Sequence, residues 1–156
     1  MKKKILVLME NTGSPQKALK EGERLAKKDS SELHVLIFNT NQKEIYELEE
    51  EQTYVLAGDI GGEEVAREEN TIKDIENKDA ERTDNFVSEL KRVVSTNLII
   101  SYVTSSIKSD VVTYSEENNI DLIILGQDEA MYSRRSFDSL IKHVVNKTKA
   151  DLLVIK

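Results

Sequence analysis

Apolar residues gather in five short runs: Ile5–Met9, Leu33–Phe38, Leu98–Val103, Leu122–Leu125 and Leu152–Ile155. Each is rich in Val, Ile or Leu, and most are continuous rather than alternating. Runs this short do not suit buried helices; an unbroken apolar stretch suits a strand covered on both faces, as in a parallel sheet. Between the runs the period changes from two to about 3.6. In Pro15–Asp29 the residues Ala18, Leu19, Gly22, Leu25 and Ala26 share one side, and Ser14–Pro15 has the form of an N-cap followed by proline at the first helical position. Ile107, Val111 and Tyr114 mark a helix over Ser106–Asn118, with Asn118–Asn119 to end it. Leu140, Ile141, Val144 and Val145 mark another over Asp138–Thr148, with Asp138 as its cap. Strands alternating with helices of this size predict right-handed βαβ units.

The middle of the chain follows a weaker pattern. Ile45, Leu48, Gln52 and Val55 predict a helical segment ending before Gly58 and Gly61–Gly62; a β-hairpin around Tyr54–Gly62 is the local alternative. Between Glu63 and Glu81 only Val65, Ile72 and Ile75 recur as apolar points. Phe86, Val87, Leu90, Val93 and Val94 then form a strong helical face leading into Leu98. The chain reads as a single domain over 1–156 with an acidic, partly mobile insertion at about 41–85.

Composition narrows the chemistry. With 156 residues one core can form without disulfides or a structural metal. No cysteine is present, which removes thiolate nucleophiles, thiolate zinc sites and iron–sulfur clusters. The start MKKKILVLM is basic then apolar, but the apolar run stops at Glu10, too short for a leader or a membrane span. A cytoplasmic protein with no membrane partner is the expectation. Net charge is −7, which argues against nucleic acid as a partner. Segment 41–85 holds 15 acidic and five basic side chains, so the rest of the chain carries +3 and can hold an anion locally.

Two histidines, His34 in a strand and His143 in a helix, are read as isolated, with no close carboxylate or second histidine in sequence, and no metal site is expected. Ser139, His143 and Asp138 lie close in sequence, yet a triad also needs an exposed nucleophile and an oxyanion hole, and nothing in the pattern supplies them. No Walker lysine motif and no dinucleotide fingerprint occurs. Glu10, following a buried strand, sits where open α/β sheets place ligands. Tyr132, Ser133, Arg134, Arg135 and Ser136 are read as a loop after the fourth strand, able to recognise an anionic group or a partner.

The opening KKILVLMENTGSPQKALKEGERLAKKDSSELHVLIF resembles the start of a universal stress protein, and SSIKSDVVTYSEENNIDLIILGQDEAMYSRRSFDSLIKHVVNKTKADLLVIK resembles its end. The resemblance covers about 2–39 and 84–156. It implies an open parallel five-stranded sheet of order 3-2-1-4-5 with helices on both faces, of the adenine nucleotide alpha hydrolase-like class, and a homodimer through the C-terminal strand. Nucleotide-binding members carry Gly, two residues, Gly, nine residues, then Gly with Ser or Thr. Here the first glycine is Gly126, the second position is Glu129, and the final pair is Asp138–Ser139 after a loop one residue short. Glu10 matches the acidic residue that ends the first strand near adenine and ribose.

A phosphate needs converging backbone N–H groups and gains from a helix N-terminus. Glu129 and Asp138 bring carboxylates to such a cradle, and Asp138 as a cap competes for its amides; Arg134 and Arg135 offset them. The expectation is therefore a non-catalytic stress-response or regulatory protein acting through homodimerisation and partner binding, with no cofactor. The alternative is an adenine-nucleotide sensor or weak ATPase holding ATP or AMP with Glu10, Gly126, Arg134, Arg135 and Ser139. A third reading is an enzyme on the related doubly wound scaffold.

Overall fold

The computed structural model describes residues 3–11, 17–39, 42, 69–94, 97–126 and 134–155, with backbone alone for 69–79, 93, 134 and 135. The elements follow in the order β1 (Lys4–Glu10), α1 (Lys17–Asp29), β2 (Glu32–Phe38), α2 (Glu69–Val93), β3 (Leu98–Tyr102), α3 (Ile107–Glu117), β4 (Leu122–Gly126), α4 (Arg134–Lys147) and β5 (Asp151–Ile155). All strands are parallel, and their spatial order is β3-β2-β1-β4-β5. Each of the five apolar runs became a strand.

The core divides by strand parity, because successive strand side chains point to opposite faces. Ile5, Val7 and Met9 pack with Val35, Ile37, Ala18, Leu19, Phe86 and Leu90, under α1 and α2. Leu6 and Leu8 pack with Leu36, Phe38, Ile107, Val111, Phe137 and Leu140, under α3 and α4. Thus α1 and α2 cover one face and α3 and α4 the other, the doubly wound arrangement. Gly22 lets α1 approach closely: a Cβ there would lie 2.8 Å from Val7 Cγ2 and 3.2 Å from Leu33 Cδ1.

Helix ends obey local rules. Ser106 caps α3, its hydroxyl accepting from Ser109 N–H at 3.2 Å. At the other end Asn119 is left-handed (φ 53°), and Ile120 N–H reaches Ser115 O at 2.9 Å. α1 ends the same way on Ser30 (φ 52°), with Ser31 N–H to Ala26 O at 2.9 Å. Both are Schellman closures, made without glycine.

Two helical expectations are corrected. α4 starts at Arg134, not at an Asp138 cap, because Phe137 extends the Leu140/Val144 stripe by one turn and is 1% exposed. Arg134, Arg135 and Ser136 therefore lie in the first helical turn rather than in a loop. α2 is also longer than its apolar face, running continuously from Glu69 well ahead of Phe86. The helix expected at 45–55 and the glycine break at 58–62 lie outside the described residues.

Candidate functional site: the crevice between β1 and β4

The strand order reverses between β1 and β4, and that is where open α/β sheets bind ligands, beyond the carboxyl ends of the strands. The register shows how the opening arises. β1 and β4 pair over three rungs, Ile5–Leu122, Leu6–Ile123 and Val7–Ile124. Beyond them β1 continues beside β2 to the pair Glu10–Phe38, while β4 continues beside β5 to Gly126–Ile155. Glu10 and Gly126 thus end the two strands that flank the reversal.

Glu10 is 6% exposed. By strand alternation it continues the Leu6/Leu8 row, the side of the sheet covered by α3 and α4. Asn11, next in the chain, continues the opposite row. Its N–H donates to Phe38 O at 2.9 Å, and its amide Nδ2 donates to Thr83 Oγ1 on α2 at 2.7 Å. The end of β1 is therefore held by both β2 and α2.

α4 supplies the opposing wall. Its first turn has no acidic residue and contains Arg134 and Arg135. Asp138 stands in the second turn and is exposed, so it does not cap the helix or occupy its leading amides. Ser139 is half-buried and Ser136 is buried. The expectation that Asp138 competes with a phosphate is thereby overturned. Glu129, Tyr132, Ser133 and the Gly13–Ser14–Pro15 turn lie outside the described residues.

The rim beyond β2 and β3 is tied by side chains. Asn39 and Gln42 form a reciprocal box: Gln42 N–H donates to Asn39 Oδ1 at 2.7 Å, and Asn39 N–H donates to Gln42 Oε1 at 2.9 Å. Gln42 also donates to Val103 O. The Asp110 carboxylate accepts from Thr104 N–H at 2.6 Å, Ser105 Oγ at 2.6 Å, Thr104 Oγ1 at 3.2 Å and Ser105 N–H at 3.2 Å. Partial burial raises its pKa, but the four hydrogen bonds outweigh that and hold it below the ordinary carboxylate value.

Among the described residues no group of three or more His, Asp or Glu is placed to hold a metal ion. Ser139, His143 and Asp138 all belong to α4. His34 is a residue whose setting sequence reasoning missed. It has a carboxylate two positions away, Glu32, on the same face of β2, and Glu32 Oε1 lies 2.6 Å from Nε2. Strand spacing was the available signal.

An open parallel sheet in this order, with helices on both faces and β1 and β4 parting at its reversal point, defines a doubly wound α/β protein. The chain belongs to the universal stress protein family, whose model matches residues 1–156. That match includes the acidic middle, which the quoted sequence resemblance had left out. A search of curated proteins finds no significant match. Among solved structures it is similar to the universal stress protein UspA from Lactobacillus plantarum, at 18% identity and TM-score 0.64, with 99% of this chain and 97% of that one covered. It is also similar to a universal stress protein from Archaeoglobus fulgidus in complex with dAMP, at 13% identity and TM-score 0.54, covering 99% and 98%. A universal stress protein in complex with cAMP matches at 14% identity and TM-score 0.53, covering 99% and 96%. At these identities the likeness is one of fold. No helix among the described residues is long and apolar enough to cross a membrane.

Proposed function

We propose that this chain is a non-catalytic regulatory protein whose crevice between β1 and β4 binds an adenine nucleotide, with Glu10 on the nucleoside and the first turn of α4 facing the phosphate. The carrying observation is the buried carboxylate of Glu10 at the parted end of β1, on the side of the sheet that α4 covers. A buried carboxylate suits ribose hydroxyls or an adenine amino group, which offer donors in return. Two arginines in a first helical turn oppose the helix dipole, a cost that a bound anion offsets. Gly126 lets backbone come close, and Ser139 one turn further along α4 adds a hydroxyl. Structurally similar universal stress proteins hold dAMP and cAMP, each with a single phosphate. A monophosphate is the better fit here, since Glu129 stands in the sequence where nucleotide-binding members carry the second glycine of their signature.

Isothermal titration with AMP, cAMP and ATP tests this. Saturable binding is expected, weakened at least about tenfold by Glu10→Gln, the scale of one charge-assisted hydrogen bond. No saturable heat with any of the three up to millimolar concentration would overturn it.

A homodimer through β5 and signalling to a protein partner in the cytoplasm belong to the same reading. β5 is an edge strand whose Leu152, Leu153, Val154 and Ile155 are only partly buried, and apolar edges favour pairing with another strand. Sedimentation of a single species at monomer mass across the micromolar range would remove the dimer.

A further inference from the structure

Away from the crevice, a chain of polar side chains crosses the edge of the sheet. His34, on β2, is 3% exposed and forms hydrogen bonds at both ring nitrogens: Nε2 lies 2.6 Å from Glu32 Oε1 and Nδ1 lies 2.6 Å from Tyr114 Oη on α3. Its ring meets the Tyr114 ring edge-on, with centroids 5.6 Å apart. Burial disfavours the ionised form of the Tyr114 hydroxyl most, and Ser101 on β3, a polar neighbour of that hydroxyl, favours it. Ser101 and Tyr114 line a groove of about 440 Å³ along β3 and α3, whose wall also carries the carboxylates of Asp110 and Glu117.

Donor and acceptor roles follow from chemistry alone. A carboxylate only accepts, so Nε2 carries the hydrogen toward Glu32. In the neutral ring Nδ1 is then bare and only accepts, so the Tyr114 hydroxyl must donate to it. That leaves the phenol oxygen to accept from Ser101. Every hydrogen bond in the chain points toward Glu32.

We propose that Ser101, Tyr114, His34 and Glu32 form a proton-responsive relay, its outer bonds pointing inward while His34 is neutral and reversing toward the β3 groove when His34 takes up a proton. The reversal balances. Ser101 accepts one proton from solvent and passes its own hydrogen to Tyr114, and Tyr114 passes its hydroxyl hydrogen to Nδ1. Afterwards Nδ1–H donates to Tyr114, Tyr114 donates to Ser101, and Ser101 turns a hydroxyl hydrogen to the groove. The Nε2–H bond to Glu32 persists in both states. A buried ionisation thus becomes a change of hydrogen-bond polarity at the surface, where an acceptor on a bound ligand would sense it.

The surroundings fix the working range. Burial disfavours the charged ring most, Glu32 favours it, and Lys4 on β1, paired in register with Glu32, disfavours it. From β3 the register neighbour is the uncharged Ile99, and from α3 the facing group is Tyr114. Titration therefore falls on the acid side of the ordinary histidine value. With the folded pKa depressed, the stabilising contribution is complete above the unfolded value and is lost as pH falls through the folded one.

Imidazole 15N and tyrosine 13Cζ NMR between pH 8 and pH 4.5 tests the relay on the intact protein. His34 is expected as the Nε2–H tautomer at pH 8, with a midpoint below 6.5 at which the Tyr114 resonance moves too. In His34→Gln the Tyr114 signal stays fixed over that range, and the fall in melting temperature from pH 7 to pH 5 shrinks by roughly 2–4 °C. In Tyr114→Phe, His34 still titrates. His34 doubly protonated at pH 7.5, or titrating while Tyr114 stays unmoved, would overturn the proposal. So would acid unfolding before any joint shift. If His34→Gln does not fold, the shared midpoint in the parent protein decides alone.

Discussion

The two ends of the sheet are built differently. At the amino end the strands are stitched together by backbone: Glu32 N–H to Lys3 O, Asp121 N–H to Lys4 O and Asp151 N–H to Asp121 O, each at 2.9 Å. Lys4 N–H adds a bond to Asp121 Oδ2 at 2.9 Å, and the closures at Ser30 and Asn119 turn α1 and α3 directly into β2 and β4. At the carboxyl end β1 and β4 part after three rungs, and side chains such as Asn11, Gln42 and Asp110 add to the backbone bonds from Asn11 N–H to Phe38 O and from Val103 N–H to Ile37 O. Short backbone turns give stability but leave no room for change. The parted end uses exchangeable side chains around an opening, which is the arrangement binding requires. A cavity of about 640 Å³ does lie at the amino end, rimmed by exposed charges such as Lys3, Asp29, Asp121 and Lys149.

The sharpest way to break this contrast is at Gly22, which sits over Val7 and Ile124, the last shared rung of β1 and β4. Gly22→Val drives a branched side chain into a fully buried, stiff valine, so a loss of about 3 kcal/mol is expected in urea denaturation. A variant within about 1 kcal/mol of the parent would mean the two leaves can separate freely. At the carboxyl end Asp110→Asn removes a charged acceptor from its clamp. The expected cost is about 1 kcal/mol at pH 7, allowing for solvent screening. Because its folded pKa is depressed, the parent's advantage exists above the unfolded value and disappears as pH falls through the folded one; equal acid profiles for parent and variant would refute the clamp. The smallest effect belongs to the amino end. Ser30→Gly relieves a left-handed serine and should raise stability by about 0.5–1 kcal/mol, read as a higher melting temperature. A decrease would show that the Ser30 side chain has a stabilising role there.

Legibility followed the strength of the local signal. The central strands could be read because Ile5–Met9, Leu33–Phe38 and Leu122–Leu125 are almost wholly buried on both faces; the edge strands β3 and β5 are only partly buried but keep the same continuous apolar run. The end of α3 could be read from Asn118–Asn119, since asparagine tolerates the left-handed turn. The start of α4 could not, because two arginines at a helix N-terminus contradict the dipole rule; Phe137, three residues before Leu140, was the better guide. The forward extent of α2 was hidden for a related reason: it runs on through charged residues where an apolar stripe is sparse. At the carboxyl edge, Glu10 and Gly126 could be placed from sequence as strand ends and Ser139 as a helical residue, whereas the helical positions of Arg134 and Arg135 and the second-turn position of Asp138 could not. Asn11–Thr83 joins residues 72 apart in sequence, a distance over which periodicity carries no information.

With only three rungs joining β3-β2-β1 to β4-β5, the sheet resembles a book with a short spine. Anything wedged between the pages at the open edge acts with leverage on that spine. Amide exchange at residues 5–7 and 122–124 should therefore report occupancy of the crevice from a distance, slowing when the pages are held at one angle.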